Sequence, residues 1–141
     1  MKPFRFGLEK ILNLRKYREE EARIELGRAI GILTDIENRI MAVGQERARA
    51  AAGQFDPANS IIQIQQYTFY LLRLDTLKEQ LLKDAAAAEL VVEKARELFV
   101  EASRERKVLD KLKEKRQKEN RKEFYAAETK TMDEMSSRVR D

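Results

Sequence analysis

Leu26-x2-Ala29-x3-Leu33-x2-Ile36-x3-Ile40-x2-Val43 is the stretch on which the fold turns. Its apolar positions step by alternating threes and fours. That mean period of about 3.5 marks a helix winding left-handed around a partner. Towards the N-terminus the same row continues through Ala22, Glu19, Arg15, Leu12 and Leu8. A second row reads Tyr67, Tyr70, Leu74, Leu77, Leu81, Asp84, Ala88, Val91, Ala95, Leu98 and Ala102. Reflecting the first row about Phe55 generates the second. Such a reflection predicts an all-α chain that pairs with itself, as a long two-helix antiparallel coiled-coil hairpin. In this register Leu26 faces Asp84. Arg15, Glu19 and Asp84 are polar exceptions on the seam, explained either by register control or by tolerance of a solvated seam.

Gly53-Gln-Phe-Asp-Pro57 is the strong break between the rows. Gly53 suits a helix C-cap. Asp56 before Pro57 suits an N-cap followed by proline at the first helical position. The expected organisation over residues 1–141 is a single coiled-coil domain. Helix one covers about 6–52, the turn about 53–56 and helix two about 57–135, with a frayed C-terminus. Because helix one is shorter, pairing should stop near residue 105 and leave a C-terminal overhang. A lone helix of that length is marginal in water and leans on charge pairs such as Glu114–Lys118.

Charged residues make up 38% of the chain and aromatics 7%, which suits long solvated helices. There is no Cys and no His, so disulfides and imidazole chemistry are excluded. Lack of cysteine also fits a reducing compartment. A two-helix seam has no interior in which to enclose a pocket. No Gly-rich phosphate loop or metal-ligand cluster occurs, and Glu19-Glu20-Glu21 reads as a solvated charge run. The expectation is a protein that is no enzyme and uses no cofactor. No run of about 18 apolar residues exists, so no membrane insertion is expected.

Function must then lie in what decorates the helices. Leu14, Tyr17 and Ile24 form an outward apolar stripe on helix one. Ile62, Phe69 and Leu72, flanked by Leu71, form another near the turn. Exposed apolar stripes at helical spacing suggest contact with another protein, although scattered surface apolars are common. Gly27 and Gly31 are spaced like a transmembrane dimerisation motif, but their surroundings are charged. Net charge is +4, and it is uneven. Arg104–Lys122 holds ten Lys/Arg against four Asp/Glu. A basic helix can neutralise phosphates, but acids interleave here and stacking aromatics are missing. Val108, Leu109 and Leu112 supply an apolar edge, so protein contact is favoured over nucleic acid.

Two segments carry a family resemblance. The first is Phe4-x-Phe6-x-Leu8-Glu9-Lys10-Ile11-Leu12-x-Leu14-Arg15 followed by Glu19 to Ala22. The second is Arg106-Lys107-Val-Leu109-Asp-Lys-Leu112-Lys-Glu-Lys115-Arg116, then Tyr125, Glu128, Met132-Asp133-Glu134 and Arg138. Together they resemble the FliJ family of flagellar type III export proteins. The resemblance covers most of the chain in order, with both ends and the length in agreement. It implies a cytoplasmic, non-enzymatic coiled coil, similar to the stalk of rotary ATPase gamma subunits and peripherally associated with the inner membrane at the flagellar base. Implied partners are the flagellar export ATPase hexamer, the cytoplasmic domain of the export-gate membrane protein, and export chaperones. Leu14, Tyr17, Ile24, Arg106, Lys107 and Lys111 then fall on the ATPase side. Tyr67, Leu71, Phe69 and Leu72 fall on the gate side. The rivals are a virulence-type secretion stalk, a basic coiled coil binding nucleic acid, and a structural spacer.

Overall fold

A computed structural model describes residues 3–140, with Arg140 described by its backbone alone. Two helices account for nearly all of it, α1 (Glu9–Gln54) and α2 (Ile61–Arg140), forming an antiparallel helical hairpin. The chain divides into two compact units. One is a turn unit, Ala22–Phe99. The other is a terminal unit of the residues up to Glu21 with those from Val100 onward.

In the turn unit, Val43, Leu74 and Leu81 are buried together, with Ile36, Ile40 and Tyr70 packed against them. Ala29, Ala50, Ala85, Ala88 and Val92 are buried along the same seam. Every α1 position of the expected row that falls here is buried or half-buried. On α2 the row holds as far as Leu74, Tyr70 included, and beyond it only alternate members hold. Tyr67, Leu74, Leu81, Ala88 and Ala95 face the seam, but Leu77, Asp84, Val91 and Leu98 are exposed. The places of Asp84, Val91 and Leu98 are taken one residue later by Ala85, Val92 and Phe99. Asp84 therefore does not face Leu26. It lies in solvent, where it accepts a hydrogen bond from Gln80 at 3.0 Å.

The axis of reflection is also displaced. Arg47 pairs with Asp75 at 2.6 Å, Gln54 donates to Thr68 at 2.8 Å, and Arg23 stacks over Phe99. Each of these pairs straddles Ile61 rather than Phe55. In the terminal unit the same midpoint recurs, in Lys113 against Glu9 and in Arg116 over the Phe6 ring. Opposite charges select this alignment. Reflection about Phe55 sets Glu19 against Val91, which leaves a seam carboxylate without a base. Pairing consequently runs to about residue 116 and does not stop near 105. Phe6 is buried at this end, and Leu12 is fully buried.

The connection differs from the expected cap pair. Gly53 is helical, and no glycine among the described residues has positive φ, so it is not a left-handed C-cap. It is small for another reason: a Cβ there would lie 3.1 Å from the Tyr67 hydroxyl. Asp56–Asn59 forms a turn in which the Asn59 N–H donates to the Asp56 carbonyl at 2.9 Å, with Pro57 supplying its preset φ. Asp56 also accepts from the Ala58 N–H at 2.8 Å. The Asn59 side chain donates to the carbonyls of Gly53 and Gln54, satisfying the end of α1. The N-cap of α2 is Ser60, not Asp56. The Gln63 N–H donates to the Ser60 hydroxyl at 3.2 Å, and the Ser60 N–H donates to Gln63 Oε1 at 2.7 Å. This is a capping box. At its far end α2 continues to Arg140, past residue 135, and residues 125–139 are all exposed.

Candidate partner-binding surfaces

In the terminal unit the seam is largely ionic. Glu19 is only 8% exposed and accepts from Arg106 Nε at 2.7 Å. The same guanidinium donates to Asp110 one turn on. These two carboxylates raise the Arg106 pKa further above its already high value. Arg15 donates across to the Glu105 carbonyl at 2.9 Å, and Lys113 reaches Glu9 at 2.9 Å. Arg106 is thus turned into the seam, unlike Lys107 and Lys111, which are exposed on α2. Leu14 and Tyr17 are exposed on α1, Tyr17 by 62%. The Glu21 carboxylate, hydrogen-bonded to the Tyr17 hydroxyl and repelling its anion, raises that hydroxyl's pKa. The α1 seam row passes through Leu12, Arg15 and Glu19, so Leu14 and Tyr17 point away from α2. Lys107 and Lys111 point away from α1 by the same reasoning. The terminal unit therefore presents Leu14 and Tyr17, flanked by Lys10 and Glu21, on one outer side, and Lys107 and Lys111, beside Glu114, on the other.

In the turn unit Ile24 is exposed on α1. Tyr67 and Leu71 are half-buried at the seam, Tyr67 against Gly53. Phe69 and Leu72 are exposed, Phe69 by 71%. Tyr70 donates to Glu46 at 2.9 Å, and that carboxylate raises its pKa. The Arg47 guanidinium holds the Asp75 carboxyl below the usual carboxylate range. The tip also carries Phe55, 73% exposed, and Ile61, 77% exposed, beside Ile62. From sequence, Phe55 falls in the expected turn and Ile61 inside the expected second helix, so neither stands out as a surface group. The available signal was the Ser60-x-x-Gln63 box, which puts Ile61 on the first turn of α2 and at the tip.

Among the described residues no group of three or more His, Cys, Asp or Glu could hold a metal ion. No described helix is long and apolar enough to cross a membrane. No curated protein and no solved structure matches the chain. The model of the flagellar FliJ protein family matches residues 4–139, covering both paired helices and the turn. The chain belongs to that family, and its general role is in the flagellar protein-export apparatus.

Proposed function

We propose that the protein couples the ring of the flagellar export ATPase to the membrane export gate and assists the recycling of export chaperones. On this reading it works in the cytoplasm, held peripherally at the inner membrane by its partners. The observation that carries the proposal is the two-sided terminal unit. Exposed Leu14 and Tyr17 lie on α1, while Lys107 and Lys111 lie on the opposite outer side of α2. A helical pair displaying different chemistry on opposite sides suits a partner that surrounds it, such as the lumen of a ring. Arg106 serves this surface indirectly, by holding Glu19 and fixing the pair beneath it. Ile24, in the turn unit, is a separate candidate contact.

The gate side is assigned to the turn unit, through Tyr67, Phe69, Leu71 and Leu72. Phe69 and Leu72 are the cleaner probes, since Tyr67 and Leu71 also pack in the seam. Replacing Leu14 and Tyr17 together by Glu should abolish co-purification with the export ATPase while far-UV helicity persists. ATPase binding at the wild-type level would contradict the assignment. Replacing Phe69 and Leu72 by Ala should weaken binding to the gate's cytoplasmic domain and leave ATPase binding intact.

A further inference from the structure

Beyond the ionic seam, α2 carries a third periodic row that faces neither α1 nor the seam. It reads Arg104, Val108, Lys111, Lys115, Lys118, Lys122, Tyr125, Thr129, Met132, Ser136 and Val139. The steps are alternating fours and threes, so neighbouring members share a face, and over about 50 Å the row drifts around the unpaired helix by about 20° per heptad. Every one is exposed. None is acidic. The acids of this segment (Glu105, Asp110, Glu114, Glu119, Glu123, Glu128, Asp133, Glu134) all fall off the row. Lys118 leans loosely on Glu114 at 3.7 Å, and the other bases of the row have no carboxylate partner among the described residues.

The row changes character along its length. Its first half presents bases almost alone, and its second presents Tyr125, Met132 and Val139, exposed by 61%, 70% and 86%. Several features bear on the occupant. A partner helix packed along the first half would need an apolar row between the charges, and only Val108 is there. The bases are mostly Lys, compact point charges that suit a diffuse anionic surface, whereas bidentate recognition of carboxylates favours Arg. No aromatic residue alternates with the bases to stack on nucleobases. A Lys row passing into Tyr and then Met and Val matches the chemistry of a bilayer boundary. With α2 lying along the surface, the bases meet lipid phosphates, Tyr125 sits at headgroup level, and Met132 and Val139 add apolar contacts at the acyl margin.

We propose that this face of α2 is a docking surface for anionic phospholipid, by which the protein lies on a membrane without crossing it. The test uses the full chain and flotation with vesicles of phosphatidylglycerol and phosphatidylcholine, against vesicles of phosphatidylcholine alone. The expected result is binding to the anionic vesicles only, weakening steeply as salt rises. Lys115→Glu, Lys118→Glu and Lys122→Glu together should lower that binding about a hundredfold or more. Met132→Ser with Val139→Ser should lower it several-fold and keep its salt dependence. All five positions are exposed, and circular dichroism confirms that each variant is folded. Lys111 belongs to both surfaces, but the five substituted positions lie outside the proposed ATPase contact, so ATPase co-purification should survive in both variants and the two readings can fail separately. Equal binding to neutral vesicles, or wild-type binding by the triple variant, would overturn the proposal. So would tighter binding to a DNA duplex than to the anionic vesicles.

Discussion

A carboxylate on a coiled-coil seam is costly unless a base meets it there, and Glu19 is met by Arg106 at 2.7 Å. Removing the base alone strands the acid. Arg106→Ala should therefore destabilise the protein by about 1–3 kcal/mol in urea unfolding. Replacing both residues by Leu should restore most of that loss, because the charges are exchanged for apolar contact. A double variant as unstable as the single would mean the guanidinium acts through packing alone. The Arg47–Asp75 pair makes a pH prediction. Its Asp75 pKa is lower in the folded protein than in the unfolded chain. The pair's stabilisation is then complete above the unfolded carboxylate value of about 4 and is lost as pH falls through the folded value. Thermal melts of Asp75→Asn should show less loss of stability on acidification below that point than wild type. Tyr70 behaves oppositely: Glu46 raises its pKa, so its contribution is lost only as pH rises past about 10.

At the scale of the element, the α1 row was legible in the sequence and the α2 row was half legible. The reason is that α2 carries two adjacent apolar rows. Leu77, Val91 and Leu98 form one; Ala85, Val92 and Phe99 form the other, one residue on. Periodicity cannot choose between them. Charge can, since only the second row continues into Arg106, the partner of Glu19. Substitution distinguishes them too. Val92→Ala should cost about 1–2 kcal/mol, because a buried branched side chain is lost, whereas Val91→Ala should change stability by under about 0.5 kcal/mol. The turn was misread for a related reason. Asp-Pro is as good a turn opener as a helix opener, and the Ser60-x-x-Gln63 box three residues later decides it. Ser60→Ala should cost about 1 kcal/mol. Gly53→Ala should be resisted by the Tyr67 ring, in contrast to Gly27→Ala and Gly31→Ala, which meet open space and should stabilise α1 by restoring helix propensity.

At the scale of the whole molecule, antiparallel self-pairing was readable from the period of the apolar residues. The exposed faces were only partly so. Exposure of Leu14, Tyr17, Phe69 and Leu72 follows from the heptad frame. Arg106 looked like one more surface base until its partner across the seam was known. The exposed tip residues Phe55 and Ile61 needed the true start of α2. The acid-free outer row likewise emerges only after the seam has claimed Arg106, Leu109 and Lys113. The apolar cluster of the turn unit and the ion pairs of the terminal unit each hold the helices in register.

The chain contains no cysteine, so cysteine pairs can be introduced cleanly. The most direct measurement is cross-linking of an Arg47→Cys, Asp75→Cys double variant with a short bismaleimide in dilute solution. The account predicts a rapidly formed, internally linked monomer, while a control pairing Arg47→Cys with Gln63→Cys, the partner demanded by reflection about Phe55, links poorly. Cross-links formed mainly between two chains, or faster in the control, would contradict it.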